Sequence, residues 1–138
     1  MTKLTPQQAL IYAMITTSAS DNTMTDAELS RIGWIVKVLP AFEEFDEDNL
    51  IAEAQACGRV VSGNDGLNTV LDMIADALPD HMRETAFVLA AEIAASDLRS
   101  SPEERRFLQL LASRLKLDPL TVAALARAAV ARHRRVVN

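Results

Sequence analysis

A chain of 138 residues with 49% hydrophobic but only 4% aromatic side chains buries a core of Ala, Leu, Ile and Val, with length enough to hide about two-thirds of its unfolded surface. The absence of any apolar run near the roughly 18–20 residues of a bilayer crossing excludes a membrane span, and the single cysteine, Cys57, excludes an internal disulfide. The net charge of −5 is unevenly divided: residues 1–98 hold 5 Lys/Arg against 16 Asp/Glu, residues 99–138 hold 9 against 3, and so acidic a body argues against general nucleic-acid binding.

The start, MTKLTPQQAL, lacks the apolar stretch and cleavage site of a secretory signal. With one thiol, the expected compartment is the cytoplasm. Thr5-Pro6-Gln7-Gln8 combines an N-cap, a proline at the first helical position and a glutamine three residues after the cap. Behind it, Ile11, Met14/Ile15 and Ser18/Ala19 share one face of a helix ending near Ser20. Thr25-Asp26-Ala27-Glu28 is a second capping box, followed by a stripe of Leu29, Ile32, Ile35/Val36 and Leu39 that Pro40 stops. The acidic connection FEEFDEDNL leads into a third helix through Leu50, Ala54, Cys57 and Val61.

The turn Ser62-Gly63-Asn64-Asp65-Gly66 closes that segment, and Leu67, Val70/Leu71, Ile74 and Ala77/Leu78 mark a fourth helix. Pro79-Asp80 punctuates the chain before a fifth helix from about His81 through Ala95, with Phe87, Ala90/Ala91 and Ala94 inward. Ser101-Pro102-Glu103-Glu104 opens a sixth with Leu108, Leu111/Ala112 and Leu115. Asp118-Pro119 starts a seventh that runs into Arg132-His133-Arg134-Arg135. The expected fold class is all-α, about seven helices joined by short loops.

Displaced by 76 residues, the chain matches its own plan: Ala19-Ser20-Asp21 meets Ala95-Ser96-Asp97, Glu28 meets Glu104 and Leu39 meets Leu115. A single domain over 1–138 containing a duplicated helix pair, around 9–40 and 85–116, is the economical explanation. Two readings of the repeated acids stand side by side. Glu after a Thr or Ser cap satisfies a backbone N–H and meets the positive helix end, while Asp forms turns. Alternatively, Asp21, Asp26 and Glu28, with Asp97 and Glu104, supply oxygen ligands to a divalent cation. Ca²⁺ or Mg²⁺ suits such oxygens before Zn²⁺, for which there is no Cys pair and the two histidines, His81 and His133, lie far apart. The loop is no EF-hand: counted from Asp21, its twelfth position is Ile32 and its sixth Asp26.

An alanine-rich helix, "ASD", a short loop, Ser/Thr-x-x-Glu and a Leu-rich helix, present twice, resembles the TerB-like family of tellurite-resistance-associated proteins, with a related module in DnaJ-type co-chaperones. The residues bearing the resemblance are Ala19 to Glu28 and Ala95 to Glu104, and it extends over nearly the whole chain in length and helix order. It implies an all-α fold with two related halves, an acidic metal-binding surface and a role in stress-response assemblies near the membrane. Family members often carry Gly after the Asp, where this chain has Asn22 and Leu98. Asn tolerates a left-handed backbone and Leu does so poorly, so the first copy is the better expected cation site.

Charge also marks partner surfaces. Glu43, Glu44, Asp46, Glu47 and Asp48 form an acidic run, and Arg132, Arg134 and Arg135 a basic one. Each is a solvated helix end or a contact for a protein partner, for a second copy in a homo-oligomer, or, for the arginines, for an anionic membrane surface approached from outside. The basic run has no interleaved aromatic, which disfavours single-stranded nucleic acid. No G-x-S-x-G, P-loop or Cys/His nucleophile pattern occurs. The expected function is therefore that of a non-enzymatic accessory protein, with a purely protein-interacting module, devoid of metal, as the rival.

Overall fold

A computed structural model describes residues 3–19, 24–96 and 101–137. Among these residues the chain forms seven α-helices and three short 3₁₀ turns, and no strand: α1 (Pro6–Ala19), α2 (Asp26–Val38), α3 (Leu50–Val61), α4 (Gly66–Ala77), α5 (Arg83–Ser96), α6 (Pro102–Arg114) and α7 (Pro119–Arg132). The all-α expectation holds, and α1, α2, α6 and α7 start where their caps say. The Thr5 hydroxyl accepts from Gln8 N at 3.1 Å while Gln8 Oε1 accepts from Thr5 N at 2.9 Å. Asp118 Oδ2 accepts from Leu120 N and Thr121 N, both at 3.1 Å. These bonds satisfy donors that a helix leaves open at its first turn.

The centre is α1. Ala9 through Ser18 are all buried, with Leu10, Ile11, Ala13 and Met14 at 0% exposure. The expected single stripe of Ile11, Met14/Ile15 and Ser18/Ala19 is thus too narrow. No charged residue occurs in that stretch, and a helix apolar all round is one surrounded by others. It touches α2, α3, α4, α5 and α6. Full burial of a Leu, Ile or Met side chain stabilises by about 1.5–3 kcal/mol relative to exposure, so α1 anchors the core.

Its neighbour α5 behaves alike: Ala86, Leu89 and Ile93 are buried besides the expected Phe87, Ala90, Ala91 and Ala94. It begins at Arg83 rather than His81, because Asp80–Met82 forms a 3₁₀ turn first. Arg83 then ties two helix ends together, donating from Nη1 to Leu115 O at 3.0 Å and from Nη2 to Ala75 O at 3.4 Å.

Two details fix the α3–α4 corner. Asp65 is left-handed (φ 52°), and a Cβ on Gly66 would fall 2.0 Å from the Val61 carbonyl oxygen, so only glycine allows that approach. At the other edge α7 packs on α5 through a small separate cluster of Phe87, Ala91, Ala112 and Ala129. Most of α7 faces solvent, Leu120 at 80% exposure. The helix stops at Arg132, so Arg134 and Arg135 follow it rather than belong to it.

Candidate cation corner and its charged surroundings

The two acidic corners are the α1–α2 and α5–α6 junctions. In the first, Thr25 caps α2: its hydroxyl accepts from Glu28 N at 3.1 Å, and Glu28 Oε1 accepts from Thr25 N at 3.3 Å and from the Thr25 hydroxyl at 3.0 Å. The other carboxylate oxygen, Oε2, accepts a hydrogen bond from Ser18 Oγ in the last turn of α1. Glu28 therefore clamps α1 to α2 besides starting α2. Asp26 is exposed in the first turn. Asp21 lies outside the described residues.

In the second corner Ser101 caps α6 in the same way, accepting from Glu104 N at 3.1 Å, and its hydroxyl donates to Glu104 Oε1 at 3.4 Å. Glu104 differs from Glu28 in burial. It is only 3% exposed, inside the stripe of Phe107, Leu111 and Ala112. Asp97 lies outside the described residues. Among the described residues no group of three or more His, Cys, Asp or Glu side chains is gathered as a metal cluster.

The helix ends at the corners differ in how their partial charge is met. Helix N-termini are positive and C-termini negative; Glu28 and Glu104 already compensate the N-termini of α2 and α6. At their C-terminal ends α2, α3, α6 and α7 carry Lys37, Arg59, Arg114 and Arg132 in the last turn, and α4 is capped by Arg83 on the Ala75 carbonyl. The last turns of α1 and α5 contain no basic residue. The two corners also border one largely apolar cleft of about 440 Å³, lined by Thr16 and Ala19 of α1, Val61, Leu67, and Pro102, Glu103, Arg106 and Phe107 of α6, so that one carboxylate and one guanidinium share its wall.

Cys57, on α3, is buried against α1. It is 0% exposed, with its Sγ 3.4 Å from the Thr16 hydroxyl. Burial pushes the thiol up to about 11, the Thr16 hydrogen bond opposing this. Tyr12, beside it, is also raised, first by burial and then by Cys57 and Glu53. This is a core thiol rather than a nucleophile.

Away from the corners, the acidic run lies between and on two 3₁₀ turns, Pro40–Phe42 and Glu47–Asn49. Asp46 Oδ1 accepts from Asp48 N at 3.0 Å. Gln7 of α1 holds the run in place, its Nε2 donating to Ala41 O at 3.1 Å and to Glu43 O at 2.9 Å. The side chains of Glu43, Glu44, Asp46, Glu47 and Asp48 are exposed. The basic run divides. Arg132 Nε donates to Glu92 Oε1 at 2.7 Å, and His133 Nε2 lies 3.1 Å from the same oxygen. Arg132 is thus engaged within the chain, and only Arg134 and Arg135 remain exposed beyond the helix.

Sequence reasoning missed Ser18 as the partner of Glu28 and Gln7 as the clamp of the acidic run. Neither has a local signal, since each reaches a residue ten or more positions away. Comparison with known proteins gives one finding. A family model described as "Tellurite resistance protein TerB" matches residues 7–128, while no curated protein and no solved structure matches the chain. No described helix is long and apolar enough to cross a membrane. The match runs from the first turn of α1 into α7, across both acidic corners, and the chain belongs to the TerB family.

Proposed function

We propose that the chain is a non-enzymatic accessory protein in stress response, one TerB-like unit over 1–138 with a duplicated helix pair, whose two acidic corners take a divalent cation. One observation carries the reading: α1 and α5 each end without a basic residue in the last turn, beside loops that carry Asp21 and Asp97. Helix C-terminal carbonyls and carboxylates are hard oxygen ligands, suited to Ca²⁺ or Mg²⁺. Asp26 and Glu28 supply nearby charge from the first corner, and Glu28 would have to exchange its Ser18 bond to become a ligand. Glu104, buried and bonded by Ser101, acts as a support for its corner.

The mechanism is electrostatic. A bound ion neutralises the corner carboxylates, ties the two loops together and changes which partner the surface accepts. Tellurite is an anion, so an acidic surface is a poor direct binder for it, and the association with resistance is not chelation of the oxyanion.

The test is a calorimetric titration of chelator-stripped protein with Ca²⁺, Mg²⁺, Mn²⁺ and Zn²⁺, beside an Asp21→Asn/Asp97→Asn variant. Saturable heat with Ca²⁺ or Mg²⁺ that disappears in the folded variant is the expected result. Absence of heat for every ion overturns the reading and leaves the acids as helix starters.

A further inference from the structure

The C-terminal end of α2 carries a second surface, distinct from the cation corner at its N-terminal end. The 13 residues of α2 span about 20 Å, so the two sites are separate. Trp34 is 62% exposed and Val38, one turn later on the same face, is 46% exposed. Val38 enters an open groove of about 510 Å³ whose apolar wall includes Leu39 and Phe45. Phe45 is held edge-on to the buried Phe42, ring centres 6.2 Å apart. Glu43, Glu44, Asp46 and Glu47 line the same groove, with Lys37 as the cation on its wall. Among the described residues none of these four carboxylates is in an ion pair.

The complement is on the same chain. Beyond α7, Arg134 and Arg135 are exposed, and Val136 and Val137 are 104% and 79% exposed. Two guanidinium groups followed by two β-branched aliphatic side chains match a carboxylate rim beside an apolar wall. Trp34, outside the groove but one turn before Val38, exposes a ring face of the kind that attracts a guanidinium. Within one molecule the segment does not sit on the groove, since both valines are open to solvent.

We propose that the groove at the end of α2 takes the Arg134–Val137 segment of a second copy of this chain. The inference does not depend on the cation. Groove and segment are different surfaces, so the contact is head-to-tail: each copy that gives its segment keeps its own groove for another, and association runs beyond a dimer into a ring or an open chain according to the rotation between copies. Four residues bury far less than the roughly 1,200 Å² of a stable interface, so the association is weak and, being charge-led, weakens with salt.

Sedimentation velocity over a concentration series at low and high salt tests it, together with fluorescence of Trp34, the chain's one tryptophan. Wild type is expected to gain mass with concentration at low salt, with a matching Trp34 shift, and to lose both at high salt. Arg134→Glu/Arg135→Glu and Glu43→Arg/Glu47→Arg should each weaken association roughly tenfold or more, and an equimolar mixture of the two variants should restore it. Stripping divalent ions should leave all of this unchanged. Wild type that stays monomeric at low salt, or a mixture that fails to associate, overturns the proposal; in the first case the groove is left to a basic partner other than this chain.

Discussion

The two acidic corners share a local motif and differ in what surrounds it. Glu28 is half-buried and divides its carboxylate between Thr25 at its own cap and Ser18 on the preceding helix. Glu104 makes the same cap with Ser101 but is almost wholly enclosed. The position equivalent to Ser18 in the second copy is Ala94, which offers no hydroxyl. A repeated motif can therefore keep its role in starting a helix while its charged group moves from an exchangeable position to a structural one.

Substituting the two glutamates in turn should separate them most widely. Glu104→Ala removes a buried, hydrogen-bonded carboxylate, and desolvated groups left behind cost free energy; a loss of about 3 kcal/mol is expected in urea unfolding. Glu28→Ala removes a capping box and one clamp, with an expected loss of about 1 kcal/mol. Equal losses would erase the distinction between the corners.

The same difference should appear in ion binding. If the first corner is the more accessible, Asp21→Asn should remove more of the titration heat than Asp97→Asn. The reverse order would place the stronger ligand set at the second corner.

Cys57, on α3 and buried against α1, supplies a pH test and a reporter. Its thiol is raised from 9.0 to about 11 by burial, so the folded state holds its proton where the unfolded state has lost it. This contribution is complete below about 9 and falls away as pH rises through about 11; stability measured across that window should decline, and less so in Cys57→Ala. At neutral pH a thiol reagent should label wild type slowly, and Glu104→Ala faster than Glu28→Ala. The smallest expected effect is that of Ser18→Ala, about 1 kcal/mol or less from one hydrogen bond, measured by the same urea unfolding. A loss as large as that of Glu104→Ala would mean that the clamp between α1 and α2 holds up the whole core.

Much of the fold was legible in the residues because capping is local. Thr5, Thr25, Ser101 and Asp118 each reach a backbone donor two or three positions away, and most of the inward stripes of α2, α3, α4 and α6 follow from helical spacing, although Leu67 at the start of α4 is exposed and Phe107 of α6 is buried beside the expected stripe. The burial of α1 and α5 on nearly every side was less so. Ala and Thr tolerate either environment, and only the helices arriving from elsewhere in the chain decide which they meet.

The sequence by itself determined that the chain is helical, where its capped helices begin, and that two acidic corners repeat. Tertiary structure alone decided that Glu104 is enclosed while Glu28 is shared, that Gln7 pins the acidic run, and that Arg132 reaches along the surface to Glu92. The reason is range: a cap is closed by its own next turn, whereas burial and long side-chain bonds depend on residues ten to forty positions away, brought near only when the core packs around α1.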